Sequence, residues 1–590
     1  SMWTLVRKGW VTDPQAINYD HSLVEVESAL LNAHIDFDYG DEEIIARHAG
    51  VAHRKGQAVL KVGQAEYKAV VVPPLKTIRA TTLALLMAFR AAGGHVVFAG
   101  DPCDYVDAEP SDAVQSFAAQ CVQTSASGPE IALAVEAKAR RVSITDEAGQ
   151  EINAALYLLR EDRDAAYLFV CNTSDANDPS TDRFNQPRAV ERTLAYPNVT
   201  IRGFSECAGQ PLELDPQTGA IYKANARRTE GGAWEIGTSF AALGSRLFVI
   251  PRKATRESYV TRPVFADLRT EVLAGASWKI TPSECNNLPL DRPRYRLGFG
   301  EWHSPAEILR IDRAARQALG LTPRGGAMVQ PWARKHTPDP QRLPVELAYT
   351  FDASATPNGE LFLGVEQPQR FHITLNGTEV DTDVQSGWWT DASLKKVPLD
   401  PALIRPGTNE LKLAGLYDED YSGLEIIYLL GHFGTRVNET AVSITAAPET
   451  LRLGDWVPQG LSFYSGSVTY HHTLRPTLAE DERLIVQVPE YLGTAVRVLV
   501  DGVPAGIIAW QPNEVDITDL LNGKAEVQLQ IEVIGHRRNS HGPLHSAQKW
   551  PIGTGPDSFV TTGDEWIDGY SLVPCGLLQP PELITRVAKE

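Results

Sequence analysis

An internal repeat in residues 346–590 constrains the fold of this chain more than any other feature of the sequence. In each copy a strand ends in an Asn-Gly or Asp-Gly turn, the next strand carries tryptophan, a turn-rich segment closes with glycine, and an alternating strand returns. The first copy comprises residues 371–377, 388–389 and 397–413, and the second comprises residues 495–502, 510, 515–523 and 527–531. Two copies in the same order predict two modules of one architecture.

The sequence predicts a multi-domain chain that ends in two jelly rolls. The order of strands and turns in the repeat is that of a galactose-binding-like jelly roll, and we assign one to residues 346–445 and one to residues 446–590. Strands of period two separated by polar turns predict a β-sandwich at residues 129–262. Residues 263–345 are mixed, with a helix predicted at 304–319, and we expect them to form a connector.

The first part of the chain, residues 1–128, has the pattern of a flavodoxin-like α/β domain. A valine run at 70–72 is stopped by prolines, residues 81–89 have helical apolar spacing, and residues 95–100 form a second apolar run. This order of strand, helix and strand predicts two parallel strands in one sheet.

Composition limits the partners of the chain. A net charge of −19 and a pI near 5.3 would repel a phosphate backbone, so nucleic-acid binding is not expected. The 12 tryptophans and 18 tyrosines provide flat apolar rings, which permits a glycan or oligosaccharide ligand. No apolar run in the sequence approaches the roughly 20 residues of a membrane-spanning helix. The six cysteines form no CxxC pair, so neither a zinc site nor a disulfide framework is expected.

Four segments carry a resemblance to a known family, namely residues 423–431, 460–466, 538–545 and 566–574. In these segments the chain resembles the region that follows the catalytic barrel in bacterial multi-domain glycoside hydrolases of the α-L-rhamnosidase type. The α/β domain similarly resembles the glutamine-amidotransferase-like accessory domain of such enzymes. The resemblance implies a part in polysaccharide degradation, with a catalytic barrel or a second copy of the chain as partner. The sequence leaves the location of the protein open; a periplasmic or extracellular one is favoured, and no export signal is visible.

The sequence does not predict a catalytic barrel. A (β/α)₈ barrel needs roughly 250 residues of alternating strands and helices, whereas this chain has only a few such units before it becomes all-β. We therefore expect the accessory, non-catalytic region of a glycoside hydrolase, which supports oligomerisation and binds a glycan. A stand-alone glycan-binding protein and an intact glycosidase that uses acidic residues of the jelly-roll loops are the alternatives.

Three glutamates are weak candidates for glycoside hydrolysis, which needs a pair of carboxylates. Glu419 and Glu425 lie in or near the acidic stretch 418–420, and Glu301 stands beside a tryptophan. The acidic stretch could instead be a solvated loop, or Asp418 and Asp420 could bind a structural calcium ion. No other cofactor is expected.

Two adjacent tryptophans are the first sugar-binding candidates. Because side chains alternate along a strand, Trp388 and Trp389 must point to opposite faces, so one is expected in the core and the other in solvent. The exposed ring would stack on a sugar while the carboxylate of Asp391 accepts hydrogen bonds from hydroxyl groups. Packing between domains is the alternative reading of this pair. Trp510, at the matching position of the second copy, is expected to pack internally.

The polar segment 538–545 contains three further sugar-binding candidates, Arg538, Asn539 and His545. Their donors and acceptors must be satisfied somewhere. They either contact a ligand or pin this loop against a neighbouring module.

Cys103 follows a predicted strand, as an amidotransferase nucleophile would. Such a nucleophile needs small residues on both sides to form a tight elbow, and Pro102 and Asp104 stand there instead. We therefore expect a scaffold without glutaminase activity.

Overall fold

The computed structural model describes residues 14–125, 128–173, 193–254, 257–324, 340–521, 523–549 and 555–589. The chain divides into two compact units, residues 1–263 with 510–512, and residues 264–509 with 513–590. Strands predominate over helices in the described residues. The prediction of a multi-domain, β-rich chain is thus confirmed.

The first unit begins with a mixed α/β region. Its elements are α1 (Pro14–Asn32), α2 (Glu42–His48), β1 (Ala49–Arg54), β2 (Gln57–Val62), β3 (Ala65–Tyr67), β4 (Ala69–Val72), α3 (Ala80–Ala91), β5 (His95–Ala99), β6 (Tyr105–Val106), β7 (Glu109–Pro110), α4 (Ala113–Ala118), β8 (Val122–Thr124) and α5 (Gly128–Ala139). Strands β4, β5 and β8 lie parallel in that order, so β4, α3 and β5 form the predicted parallel unit. Gly93 ends α3 at a φ of 92°, a conformation that glycine adopts without strain.

The first unit continues as a sandwich of two antiparallel sheets. Its strands are β9 (Val142–Thr145), β10 (Ala155–Glu161), β11 (Ala165–Asn172), β12 (Tyr196–Gly203), β13 (Leu212–Leu214), β14 (Ile221–Lys223), β15 (Ala226–Arg228), β16 (Trp234–Phe240) and β17 (Ser245–Pro251). One sheet has the order β10-β11-β17-β13-β14 and the other β15-β16-β12-β9. Alternate residues of both sheets, such as Leu168 and Ile236, meet in one buried core.

The second unit consists mainly of strands. In chain order they are β18 (Phe265–Val272), β19 (Trp278–Pro282), β20 (Asn286–Leu290), β21 (Arg294–Leu297), β22 (Leu343–Ala353), β23 (Asn358–Glu366), β24 (Phe371–Leu375), β25 (Thr378–Val380), β26 (Trp388–Trp389), β27 (Asp391–Leu399), β28 (Gly407–Tyr417), β29 (Ile427–His432), β30 (Gly434–Asn438), β31 (Ala441–Thr445), β32 (Thr450–Leu451), β33 (Val468–Leu474), β34 (Glu482–Gln487), β35 (Tyr491–Leu492), β36 (Ala495–Val500), β37 (Val503–Ile508), β38 (Glu514–Asp516), β39 (Val527–Ile534), β40 (Gly576–Leu577) and β41 (Glu582–Ala588). Among its described residues the α-helices are α6 (Ile308–Ala318), α7 (Thr518–Leu521) and α8 (Arg538–His541). Short 3₁₀ turns lie at Pro368–Arg370, Pro401–Leu403, Val457–Gln459, Pro556–Phe559 and Gly563–Glu565.

These strands form two sandwiches, which we call the first and the second sandwich. The first packs the sheet β20-β29-β23-β27-β26 against the sheet that runs from β25 through β24, β28, β22 and β31 to β30, with β21 beside β22. The second packs β32-β19-β33-β39-β36-β37 against β18-β41-β34-β38. Each sandwich has its own buried core, and α6 contributes Ile308 and Ile311 to the core of the first.

The segment expected to be a connector, residues 263–345, supplies strands to both sandwiches. β18 pairs with β41 and β19 with β33, whereas β20 pairs with β29. The helix predicted at 304–319 begins only at Ile308, because the side chain of Glu307 caps it by accepting bonds from the N–H groups of Leu309 and Arg310. The division of the chain into five domains stays a prediction.

None of the helices in the described ranges combines the length and the apolar character that crossing a lipid bilayer requires.

Candidate functional site

The sheet β20-β29-β23-β27-β26 carries a second apolar layer on the side turned away from the core. Along β29, Leu429 lies in the core of the first sandwich, whereas its neighbours Tyr428 and Leu430 belong to a separate small cluster with Trp389 and Leu394. This alternation places the cluster on the outer face of the sheet. We call it the aromatic face.

A segment from the second sandwich covers part of the aromatic face. We call residues 536–549 and 566–573 the strap. The His541 ring stacks on Tyr428, with ring centroids 5.4 Å apart, and lies 5.1 Å from the ring of Trp389. The Tyr428 hydroxyl donates to the carbonyl oxygen of Ser540 at 2.9 Å. The strap is thus attached to the face by both ring contacts and a hydrogen bond.

Two enclosed nitrogen atoms at this junction lack a partner. Within the described ranges, neither Nε1 of Trp389 nor Nε2 of His541 has a hydrogen-bond partner. A buried polar atom left without a partner costs about 1–3 kcal/mol. The junction therefore favours a water molecule or a ligand hydroxyl group that would satisfy both atoms.

A chain of hydroxyl groups contacts Nδ1 of the His541 ring. Ser465 Oγ lies 2.7 Å from Ser540 Oγ, which lies 2.7 Å from His541 Nδ1. Burial, followed by the charge of Arg537, lowers the pKa of His541 to about 4, so the ring is neutral at pH 7. Depending on which way the hydroxyl chain points, Nε2 either donates or accepts. A sugar hydroxyl, which also does both, would suit either state.

The hairpin of β26 and β27 presents the exposed tryptophan. As predicted, Trp388 and Trp389 face opposite sides, with 57% of Trp388 and only 6% of Trp389 exposed. Asp391 lies on the same hairpin and accepts bonds from the N–H and the hydroxyl of Ser393, both at 2.7 Å. These bonds lower the pKa of Asp391, which keeps it ionised as an acceptor. An open ring and a fixed carboxylate on one hairpin have the chemistry of sugar binding.

The exposure of Trp510 contradicts the prediction that its side chain packs internally. It is 46% exposed rather than internal. The reason is that β37 ends at Ile508, so Trp510 lies in the turn beyond the strand instead of on its inward face.

The acidic stretch at 418–425 is matched by arginines from distant parts of the first sandwich. Asp418 pairs with Arg370 at 3.2 Å, and Glu425 pairs with Arg324. Burial raises the pKa of Glu425, and the charge of Arg324 opposes that rise. Both carboxylates are thus held in ion pairs.

The remaining acids of this stretch, Glu419 and Asp420, lie in the loop where calcium binding was predicted. Glu419 is half-buried, and Asp420 is exposed, with its backbone N–H donating to Asp418 at 3.1 Å. Within the described ranges no group of three or more His, Cys, Asp or Glu side chains is placed to hold a metal ion. Calcium binding by Asp418 and Asp420 stays a prediction.

Asp312 lies at the centre of the arginine cluster behind this loop. It is 2% exposed and accepts from the hydroxyl of Tyr417 at 2.6 Å and from the N–H of Leu424 at 2.8 Å. Its other oxygen accepts from Nε of Arg316 at 3.1 Å and of Arg324 at 2.9 Å. This network fixes the backbone of the acidic loop.

Glu301, the third candidate acid, lies far from residues 418–425 in the sequence and is exposed in the loop after β21. The neighbouring Trp302 ring is flanked by Arg294 and Arg296, whose guanidinium carbons lie 5.5 and 5.4 Å from the ring centroid. The tryptophan beside this glutamate is therefore already engaged by cations.

The polar candidates of the strap are largely used internally. The side-chain amide of Asn539 donates to the carbonyl of Val573 at 2.8 Å and accepts from its N–H at 2.9 Å. His545 contacts Asp291 at 2.8 Å through Nε2. Nε of Arg538 donates to a backbone carbonyl of the strap at 2.9 Å, and its two Nη atoms have no partner within the described residues. Asn539 and His545 thus pin the strap.

Cys103 lies at a cavity in the first unit. The cavity, of about 550 Å³, opens where β4, β5 and β8 end, and its lining includes Lys76, Asp101 and Ser125. The thiol is buried, and burial raises its pKa, so it stays protonated at neutral pH. A protonated thiol is a poor nucleophile, in keeping with the predicted scaffold role.

Several residues at the aromatic face were not predicted as site residues. Three of them lie far apart in the chain and carry a hydroxyl as their only polar side-chain group: Tyr428, Ser465 and Ser540. Glu366, whose carboxylate accepts from the hydroxyl of Ser393 at 3.1 Å, ends an ordinary strand. The local sequence does not indicate that these residues lie close together, because their proximity depends on how distant strands pair.

Comparison with known proteins finds likenesses of structure only. No protein-family model and no curated protein matches the sequence. A rhamnosidase from Novosphingobium sp. PP1Y is similar with 14% identity and a TM-score of 0.40 over 92% of this chain and 36% of that chain. An exo-carrageenase from Bacteroides ovatus has 10% identity and a TM-score of 0.24 over 39% of this chain and 26% of that one. An α-L-rhamnosidase from Streptomyces avermitilis has 11% identity and a TM-score of 0.15 over 55% and 39%.

The chain thus spans 36% of the length of the Novosphingobium rhamnosidase. At these identities and TM-scores, the similarities assign neither a family nor an activity to the chain.

Proposed function

We propose that this chain is the accessory, non-catalytic region of a carbohydrate-active glycoside hydrolase of the α-L-rhamnosidase type, and that it binds a glycan at the β26–β27 hairpin. The observation that carries the proposal is the hairpin itself, which holds both the open ring of Trp388 and the ionised, hydrogen-bonded carboxylate of Asp391. The flat side of an aromatic ring stacks on the apolar side of a sugar, and a carboxylate accepts hydrogen bonds from the hydroxyl groups of the sugar. We take the two sandwiches of the second unit to be galactose-binding-like jelly rolls and the start of the first unit to be a flavodoxin-like domain.

The state of the acidic groups supports a non-catalytic role. Hydrolysis needs two carboxylates that face a shared space, one to protonate the leaving oxygen and one to act as nucleophile or base. Asp312, Asp418 and Glu425 instead have arginine partners, and these pairs hold the loop in place. We therefore assign these carboxylates a structural role.

Calorimetric titration with a panel of neutral, rhamnose-containing and galactose-containing oligosaccharides tests the proposal. Loss of ring stacking in Trp388→Ala is expected to weaken binding roughly tenfold, which corresponds to about 1.4 kcal/mol. Trp510→Ala is the matched control, because that tryptophan occupies the same place in the repeat and is 46% exposed. Equal affinity of both variants, or binding of no sugar by the intact chain, would overturn the proposal.

The alternative of hydrolysis by the acidic loop rests on Glu425, whose pKa is raised by burial as a general acid requires. It is tested with aryl rhamnosides and aryl galactosides. Turnover by the purified chain that disappears in Glu425→Gln would replace the accessory role with an enzymatic one. We expect no turnover, because the Arg324 guanidinium already occupies the carboxylate of Glu425 in an ion pair.

A further inference from the structure

The strap is fastened to the first sandwich at a buried carboxylate. Asp291, in the loop after β20, is 1% exposed. It accepts from the hydroxyl of Tyr570 at 2.8 Å and pairs with Nε2 of His545, also at 2.8 Å. Both partners belong to the strap, so one buried acid of the first sandwich holds both of its stretches.

Two surface contacts surround this fastening. The guanidinium carbon of Arg310 lies 3.9 Å from the centroid of the Trp566 ring, and Arg292 pairs with Asp568 at 3.2 Å. Asp568 is well exposed, so this pair adds little by itself. The cluster at Asp291 is thus the buried polar part of the attachment at this end of the strap.

A second acid lies in the same buried volume. Glu307 is 4% exposed, and its oxygens accept from the first N–H groups of α6 at 3.0 and 3.2 Å. The nearby hydroxyl of Tyr349 has no partner within the described residues. Burial raises the pKa of Glu307 to about 7, and the charge of Asp291 adds to that rise against the capping bonds. One volume thus holds two acids and one histidine.

The charge of this cluster depends on pH near neutrality. Burial alone would lower the pKa of His545, but the hydrogen bond that His545 donates to Asp291 and the negative charge of Asp291 outweigh burial and raise it. On the acid side, protonated His545 balances Asp291, and Glu307 is neutral. On the alkaline side, two buried carboxylates face a neutral imidazole, and an unbalanced buried charge is strongly unfavourable.

The same strap carries the groups that reach the aromatic face. Asn539 joins its two stretches through Val573, and His541 and Ser540 follow immediately in α8. Movement of the fastened end would be transmitted to His541 because only a few residues separate it from His545.

We propose that the strap is a pH-sensitive latch: protons on His545 and Glu307 keep it docked on the first sandwich, and their loss above neutral pH releases it. Release withdraws His541 from Trp389 of the β26–β27 hairpin and lowers the glycan affinity of that hairpin, a consequence that rests on the proposed function. The latch itself does not depend on any ligand.

Hydrogen exchange of the strap amides tests the latch without a sugar. The N–H groups of Ile567 and Ser571 bond at 3.0 and 2.6 Å to carbonyls of the other stretch of the strap. Because Asp291 holds both stretches, these amides should exchange when loss of that fastening lets the stretches separate. If opening returns Glu307 to its ordinary pKa, the protection of these amides falls roughly 30-fold between pH 5.5 and 8.5. Glu307→Gln should lose most of that fall, whereas the exposed control Glu360→Gln should keep it.

A protection factor that does not change with pH in the wild-type chain refutes the latch, whatever the sugar experiments give. Far-UV circular dichroism checks that Glu307→Gln is folded, and if it is not, the wild-type series decides alone. Titrating the same oligosaccharide panel at pH 5.5 and 8.5 separates the two proposals. A pH-dependent strap with no sugar bound at either pH keeps the latch and refutes the proposed function.

Discussion

Replacing Asp312 by alanine tests whether the acidic loop is a structural element. The carboxylate satisfies four groups: the Tyr417 hydroxyl, the Leu424 N–H, and the guanidinium groups of Arg316 and Arg324. Arg316 is itself only 3% exposed. In Asp312→Ala this cation stays buried without its anion, and removing one partner of a buried pair costs about 3–5 kcal/mol.

Urea unfolding of the full chain, followed by tryptophan fluorescence, measures this cost in the transition that belongs to the second unit. Two units need not unfold together, so that transition is fitted separately. Asp267→Ala is the control, because its ion pair with Arg586 at 2.6 Å involves a side chain that is 56% exposed and should contribute at most about 1 kcal/mol. A loss below about 1 kcal/mol in Asp312→Ala would refute the assignment of the network as the support of the loop.

Three further predictions follow from single residues. Burial raises the pKa of Glu307 from an ordinary 4.5 to about 7 in the folded chain. The protein therefore has its full stability below pH 4.5 and loses roughly 3 kcal/mol of unfolding free energy as the pH rises through 7. The melting temperature of the second unit should fall from pH 5 to 8, and it should fall less in Glu307→Gln. Gly423→Ala should cost about 1–3 kcal/mol in urea unfolding, since φ is 129° and a Cβ would lie 2.8 Å from Asp312 Oδ1, whereas Gly454→Ala, at a φ of 117° with open space around it, should show only the backbone part of that loss. Cys103 should react with iodoacetamide more slowly than free cysteine at pH 8, because burial raises its pKa and hides the thiol; equal rates would contradict its placement.

Local patterns in the sequence were sufficient to find many individual elements. The Asn-Gly and Asp-Gly turns of the repeat are present as expected, with left-handed backbone at Asn376-Gly377 and at Asp501-Gly502. The opposite exposure of the two adjacent tryptophans follows from strand alternation alone. These features depend on neighbours within a few residues, which is why the sequence reveals them.

The candidate site could not be assembled in the same way. Asp291 and His545 are 254 residues apart, and Arg324 lies 101 residues before Glu425. In the sequence, 418–425 is a cluster of acids that suggests catalysis or calcium, because the arginines that neutralise it belong to other elements. The function of a charged residue depends on its partner, and here the partners are brought together by sheet pairing.

The same distant pairing links both sandwiches to the segment that precedes the repeat. β19 lies inside a sheet of the second sandwich and β20, which follows it directly, pairs into the first. The strap runs in the opposite direction, from the second sandwich to the aromatic face and Asp291 of the first. A fragment that contained only one copy of the repeat would lack an internal strand or the strap. The repeat therefore indicates strands and turns of both sandwiches, while residues 263–345 supply further strands to the sheets of each.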